Sequence, residues 1–391
     1  MSFLKKWLLR LSEKSRDHGK PSPTRRVHFV KPPRVDTSLN RYDLFSKEGY
    51  QRNVIVNRSI NMVARGVASI PITLHRSGER LVRHKALDLV KKPNPLQKGT
   101  GLLYNMTGYY LIAGNSYLLS LGPPEGQPKE LWLLRPDLVK VSLYPQSIDP
   151  LFSYGQGEQL RHFDRQSVLH WHSFNPLCEW HGFSPLETAA TAIDLHNESS
   201  RWNLSLIKNG GCPSGVLYQE DAADSLTEGQ FSRLKAQVND HYSGAVNAGR
   251  PLLLEGGLKW QDMSISPSDM DWHRGKNMSA REIALAFGVP SQLVGIPDSQ
   301  TYSNMAEARL SLWEETILPL HQEILNHLNA WLLPRYDEDL EFKADLEAVP
   351  ALDLKRSRKI DRLNKATFMT LNEKREALGL DPIQEGEHCH D

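Results

Sequence analysis

Apolar residues recur at helical spacing through Val54, Ile55, Ile60, Met62, Val63, Val67 and Ile70, which predicts an amphipathic helix that stops before Pro71. Pro71 to His75 then reads as a strand. After the turn Lys92-Pro93-Asn94-Pro95 the pattern predicts a second helix over about 101–113. Strands are expected at 115–121, 131–134, 139–144 and 168–172, separated by Pro and Gly turns. Helices feeding short strands make this first region α+β.

The middle of the chain is dominated by helix signals. Ser184-Pro185-Leu186-Glu187 supplies an N-cap Ser, Pro at the first helical position and Glu at the third. The helix so begun extends to about Asn209, where Gly210-Gly211 stops it, a length of roughly 39 Å at 1.5 Å per residue. Its seam, Leu186, Ala190, Ile193, Asn197, Ser200, Leu204 and Ile207, is apolar at both ends and polar between. Such a seam suits partial exposure or a subunit contact better than a dry core. A second helix is expected from Ser266-Pro267-Ser268-Asp269 to about Phe287, with a polar first half of Asp269, His273, Arg274, Lys276 and Asn277. Between the two lies a compact insert: a strand near 215–218, a helix opened by the capping box Ser225-x-x-Glu228, and a strand near 251–255. The combination reads as a two-helix stalk carrying a small βαβ tip.

Beyond Phe287, residues 288–303 are rich in Gly, Pro, Ser and Gln. Asn304-x-x-Glu307 is then expected to cap a long helix through about Leu333, with the stripe Leu310, Trp313, Ile317, Leu320, Ile324, Leu328 and Trp331. Pro319 inside it removes an i→i−4 bond, so a kink is expected there. An acidic strand-like stretch over 338–347 and helices near 354–368 and from the box Thr370-x-x-Glu373 complete the chain.

Composition adds a class and a charge asymmetry. With 391 residues, 39% hydrophobic and 24% charged, the chain falls among folded globular proteins of two to three domains. Cys178, Cys212 and Cys389 form no CxxC pair, so neither a disulfide framework nor a zinc ribbon is supported. Residues 1–35 carry ten Lys/Arg against Glu13 and Asp17, or +8, which leaves −7 of the net +1 for the rest. This basic arm opens with Phe3, Leu4, Trp7, Leu8 and Leu11 on one helical face, too short a run to span a bilayer and without a signal-peptide cleavage site. Its Pro- and Arg-rich continuation reads as an extended, flexible segment.

Catalytic patterns are wanting. The sequence holds no GxxxxGK[ST] phosphate loop, no GxSxG elbow and no HExxH. His321 and His327 face different sides of their helix. The best metal candidate is His170-Trp171-His172, both imidazoles on one strand face, with His162, Cys178 and His181 nearby in sequence. Solvated or hydrogen-bonded strand histidines explain the same pattern. Gly210-Gly211-Cys212-Pro213 follows a helix where a C-cap is expected, and His388-Cys389-His390-Asp391 reads as a frayed tail. No metal, cofactor or catalytic residue is therefore assigned.

The ordered set of short segments resembles the phage portal protein family, in particular its HK97-like branch in tailed phages and gene-transfer agents. The match runs from about Asn53 to Gly386. It is carried by Ile70-Pro71, Lys92-Pro93-Asn94-Pro95, Gly114-Asn115-Ser116-Tyr117, His170, Gly182-Phe183-Ser184-Pro185-Leu186 and Asn209-Gly210. It continues through Ile283-Ala284, Ala286-Phe287-Gly288-Val289-Pro290, Leu293-Val294-Gly295, Tyr302-Ser303-Asn304, Thr316 with Pro319, and Asn372-Glu373 with Arg375. The resemblance implies a homo-oligomeric ring, usually of twelve subunits, at one capsid vertex of the virion, assembled in the host cytoplasm. Double-stranded DNA would pass through it in packaging and ejection; the major capsid protein, large terminase and head-tail adaptor would be partners, and no catalysis would occur.

The α+β portal fold so implied has an N-terminal arm (1–50), a wing (51–183), a stem helix (184–209), a clip (210–267), a second stem helix (268–287) and a tunnel loop (288–303). A long wing helix (304–333), then the wing remainder and a short helical crown (334–391), follow. Stem positions Leu186, Ile193, Asn197, Ser200, Leu204, Asp269, His273 and Arg274 would lie at subunit contacts. Gly295, Ile296, Pro297, Asp298, Ser299, Gln300, Thr301 and Tyr302 would face the DNA. This run has no Lys or Arg, as suits a channel that must not grip moving DNA, because each phosphate neutralised by a cation adds salt-dependent affinity. The arm is expected to contact scaffold, capsid or a membrane surface during assembly. The competing readings are a membrane- or partner-binding module that uses the arm, and a metal hydrolase around His170 and His172.

Overall fold

The computed structural model describes residues 42–123, 126–143, 150–155, 159–208, 215–219, 227–242, 258–262, 272–296, 302–336, 338–379 and 382–383, all within one compact unit, Thr37–Asp391. The described chain opens with a helical turn, α-helical over Tyr42–Leu44 and π-helical over Phe45–Gln51, and Phe45 is buried in the core. Residues 42–50 thus pack with the body. Helix α1 (Val54–Ser69) follows, its N-terminus capped by Asn53, whose Oδ1 accepts from the backbone N–H of Ile55 and Val56. Val56, Ile60, Val63 and Val67 form its buried stripe.

Strand β1 (Ile72–Arg76) is the centre of a three-stranded antiparallel sheet, between β2 (Glu79–Leu81) and β11 (Leu340–Ala344). Helix α2 (Lys85–Lys91) leads into the Pro93–Pro95 turn. There the buried Asn94 side chain donates to the Leu131 carbonyl at 2.9 Å and accepts from the N–H of Leu96 and Gln97. One amide side chain thus replaces the backbone ladder of the turn.

Helix α3 (Gly99–Ala113) packs on α1. A second sheet orders β4 (Glu130–Leu134), β3 (Asn115–Leu121) and β8 (Val168–His172); a third orders β5 (Val139–Leu143), β6 (Pro150–Tyr154) and β7 (Arg161–Phe163). Strand β3 is buried on both faces: Leu118 joins the main core, while Tyr117 and Leu119 join a second core with Leu134, Val139, Phe152 and Val168.

The helix expected from Ser184 is divided. Ser184 caps a single turn, Pro185–Thr188, and α4 (Ala190–Lys208) follows after Ala189. The insert keeps its expected order, with corrections. Strand β9 (Gly215–Gln219) pairs antiparallel with β10 (Leu258–Asp262), whereas the expected strand at 251–255 lies outside the described residues. Helix α5 (Glu228–Tyr242) is capped by Thr227 with Gln230, two residues beyond the expected box: the Gln230 Oε1 accepts from the Thr227 N–H, and the Gln230 N–H donates to Thr227 Oγ1. Helix α6 (Trp272–Ala286) packs against α4.

The long helix begins at Tyr302, so Asn304 lies inside it and does not cap it. It runs as α7 (Tyr302–Ser311), a π-helical stretch over Leu312–Ile317 and α8 (Leu318–Trp331). The disruption expected at Pro319 takes this form: the Leu318 N–H donates to the Trp313 carbonyl, an i→i−5 bond, just before the residue that has no N–H to give. Helices α9 (Asp353–Lys365) and α10 (Leu371–Ala377) end the described chain, and α10 carries the expected Thr370–Glu373 capping box.

Candidate functional site

Three junctions gather most of the residues singled out in the sequence. At the first, the chain crosses itself between α3–β3 and the segment before α4. Gly114 ends α3 in the left-handed region at φ 69°, and a Cβ there would meet the Gly182 carbonyl carbon at 2.8 Å. Both positions therefore need glycine. Asn115 locks the crossing. Its Nδ2 donates to the Ala113 carbonyl at 2.8 Å, and its Oδ1 accepts from the Gly182 N–H at 2.9 Å. Ser184 adds a third tie: its Oγ donates to the Ile112 carbonyl at 2.7 Å while accepting from the Leu186 N–H.

This lock decides the chemistry of His170. With the amide of Asn115 oriented by Gly182, its Oδ1 can only accept, so His170 Nε2, 3.0 Å away, carries a proton and donates. The ring stacks on Tyr117 with centroids 4.4 Å apart and lies 4.6 Å from the His172 ring. Burial first, then the neighbouring His172, His181 and His327, push its pKa down to about 3. His170 and His172 do share a strand face, but His162 is spent on Ser153 and Cys178 is a free thiol. No group of three His, Cys, Asp or Glu able to hold a metal occurs among the described residues. His388, Cys389 and His390 lie outside them.

The second junction ties α4 to the start of α1. Asn53 Nδ2 donates to Asn197 Oδ1 at 3.0 Å and to His196 Nδ1 at 3.2 Å, and Asn197 Nδ2 donates to the Glu48 carbonyl. Arg201 pairs with Glu48 at 2.7 Å and with Glu198. Burial, with the Lys276 charge second, lowers the His196 pKa, which matches an Nδ1 that accepts. The polar middle of the seam is thus spent inside the chain. Nothing local in the sequence pairs Asn53 with a residue 144 positions away.

At the third junction α6 ends in a Schellman motif. Val289 N–H donates to the Ala284 carbonyl and Gly288 N–H to that of Leu285. Gly288 sits at φ 63°, and a Cβ on it would meet Thr316 Oγ1 at 2.5 Å. That hydroxyl donates to the Gly288 carbonyl at 2.7 Å, so the end of α6 rests on the π-helical stretch of the long helix. Beyond it the chain turns through 291–294, Gly295 is left-handed at φ 80°, and Ile296 is buried. Pro297, Asp298, Ser299, Gln300 and Thr301 lie outside the described residues; Tyr302 opens α7.

The stem positions separate in the same way. Leu186 and Ile193 are fully buried in the main core, Asn197 is engaged as above, and Ser200 bonds back to the His196 carbonyl. Leu204 is 52% exposed, and Arg274 lies on the exposed side of α6. His273 belongs to the first turn of α6, and Asp269 lies outside the described residues.

Comparison with known proteins bears on this arrangement. The sequence model of the family described as "Phage portal protein" matches residues 54–379. An uncharacterised protein of Rickettsia bellii (strain RML369-C) is 42% identical, covering 87% of this chain and 90% of its own. The portal protein of Enterobacteria phage HK97 is 21% identical over 84% of this chain and 79% of its own. Among solved structures, a chain in the neck of an empty gene transfer agent particle superposes with a TM-score of 0.70 at 38% identity, covering 88% of this chain and 94% of its own. An HK97-family phage portal protein from Corynebacterium diphtheriae shares the fold, with a TM-score of 0.59 at 14% identity over 80% of this chain and 99% of its own. The glycine crossing, the Asn53 cap and the Gly288–Thr316 contact all fall at or within the matched segments, and the α+β architecture is that of these structures: the chain belongs to the phage portal protein family.

Proposed function

We propose that the protein assembles into a closed ring of about twelve copies at a capsid vertex and forms the channel for double-stranded DNA, with no catalytic reaction of its own. The observation that carries this reading is the similarity, at 36% identity over 88% of this chain, to a chain in the neck of a native gene transfer agent particle whose structure has C12 symmetry. The wing would comprise residues 51–183, the stem 184–209 and 268–287, the clip 210–267, the tunnel loop 288–303, and the long helix with the remaining wing and crown 304–391.

A cyclic ring uses two different faces of each subunit, because every interface is heterologous. Exposed Leu204 and Ile207 on α4, and Met278 and Leu285 on α6, would supply apolar area for it. Asn197, Ser200, Asp269, His273 and Arg274 would line the same stem. Leu186, in the turn before α4, and Ile193, within it, act differently on this account, holding the start of the stem to the body from inside. Residues 295–302 would face the DNA, with Gly295 setting the direction of the loop and Ile296 anchoring it. The clip would receive the large terminase and the head-tail adaptor, and the arm would contact scaffold, capsid or membrane.

Particle production tests the proposal. Cells lacking this gene should yield heads without nuclease-protected DNA, and the restored gene should recover protection. DNA-filled, tailed particles made in its absence would overturn it.

A further inference from the structure

Helix α9 carries Lys355, Arg356, Arg358, Lys359, Arg362 and Lys365 against Asp353 and Asp361, a net +4 in thirteen residues of a chain whose net charge is +1. These cations divide into two groups. Lys355 pairs with Glu314, and Arg356 with Asp353 and the carbonyls of Leu346 and Glu347, so the first turn is fastened to the body. Arg358, Lys359, Arg362 and Lys365 are exposed and have no ion pair or hydrogen bond among the described residues.

At 3.6 residues per turn these four fall within an arc of about 120° and along roughly 10 Å of helix. Like charges at i,i+3 and i,i+4 repel, so the stripe costs the isolated helix stability and pays only against an anion. The opposite side offers no broad apolar face: Ile360, 42% exposed, is the one large exposed hydrophobic residue on α9 among those described. A helix that lies on a lipid surface needs such a face. Duplex DNA does not ask for one, and it presents about six negative charges over the same 10 Å.

We propose that the α9 stripe of Arg358, Lys359, Arg362 and Lys365 is a sequence-independent binding site for the phosphate backbone of double-stranded DNA. The identity of the polyanion rests on the portal reading; the stripe itself does not. The site complements the cation-free segment 295–302: a ring could let DNA slide at the loop and hold it electrostatically at α9.

The test uses the full-length protein, wild type and the variant Arg358→Gln, Lys359→Gln, Arg362→Gln, Lys365→Gln. Binding to a fluorescent 40-base-pair duplex is followed by anisotropy between 50 and 200 mM salt. Because the +8 charge of residues 1–35 would also attract DNA, both proteins are measured again with residues 2–35 deleted. The variant should bind more weakly in either background, with a log K against log salt slope shallower by about 0.9 for each lost contact, up to about 3.6. A second variant, Arg358→Lys with Arg362→Lys, should keep the slope and guards against a folding effect. Unchanged affinity and slope in the Gln variant would overturn the proposal. So would loss of binding to phosphatidylserine vesicles with duplex binding intact, since the occupant would then be a lipid surface. A wild-type protein that makes no ring but loses duplex binding on substitution would sink the portal reading and leave the site standing.

Discussion

Replacing Gly288 by Ala probes the contact that fixes the end of α6, where the proposed tunnel loop begins. Two costs are separable. The left-handed backbone at φ 63° costs an L-residue about 1–2 kcal/mol. The new Cβ would also sit 2.5 Å from Thr316 Oγ1, so the hydroxyl must leave its rotamer, at about 0.5–1.5 kcal/mol, and give up the 2.7 Å bond to the Gly288 carbonyl. That bond lies near the surface, which puts its loss at the low end, about 0.5–1 kcal/mol. Gly288→Ala should therefore destabilise by about 2–4.5 kcal/mol and Thr316→Ala by about 0.5–1. In the double variant the clash is gone and the bond is already lost, so about 1.5–3 kcal/mol remains. Thr316→Ala should therefore restore about 0.5–1.5 kcal/mol once Gly288 is Ala, a coupling of about 1–2.5 kcal/mol. Urea unfolding followed by tryptophan fluorescence, at one fixed protein concentration, measures all four proteins. Additive costs would refute the contact geometry, and a neutral Gly288→Ala would refute the left-handed backbone as well.

Three further outcomes follow from the same structure. Burial holds His170 at a pKa of about 3 and His321 at about 4, both below the ordinary 6.5; the His321 Nδ1–H bond to the Val67 carbonyl pulls upward and is outweighed, and its buried Nε2 has no partner among the described residues. Below pH 6.5 the unfolded chain binds protons that the folded chain refuses, so stability should fall by about 1.4 kcal/mol per pH unit per histidine down to about pH 4. Unfolding measured at pH 7.0, 6.0 and 5.0 should show this slope, and His321→Gln should remove its share; a flat profile would mean these rings are solvated. Asp298→Lys and Gln300→Lys should slow DNA translocation in a packaging assay by adding phosphate contacts, and unchanged packaging in both would count against the loop assignment. Deleting residues 2–30 should leave rings intact while impairing their incorporation into heads, and loss of ring formation would give the arm a different role.

Strands β3 and β8 and helices α1 and α3 were legible because Pro and Gly mark their ends and the apolar period runs through them. Others were not, for physical reasons. Helix α2 has seven residues, too few for a period to register, and β6 opens on Pro150, a residue that ordinarily argues against a strand. Ser225-x-x-Glu228 and Thr227-x-x-Gln230 both satisfy the capping-box pattern, and only the local fold chooses between them. Asn304-x-x-Glu307 satisfies it too, inside a helix that had already begun. The strand face shared by His170 and His172 could be read from alternation. The donor role of His170 could not, because it is set by the Asn115 amide, which Gly182 orients from 67 residues away. The Asn53–Asn197 bond has the same character. Family resemblance picked out pieces such as Gly114-Asn115 and Gly182-Phe183-Ser184, but their mutual lock appears only in three dimensions.

The central claim is that this chain closes into a ring. The most direct measurement is the native mass of the purified full-length protein together with negative-stain images of the same sample. The account predicts a species of about 533 kDa, twelve times the 44.4 kDa chain, with a central hole in axial views. A compact dimer, or an assembly without a channel, would contradict it.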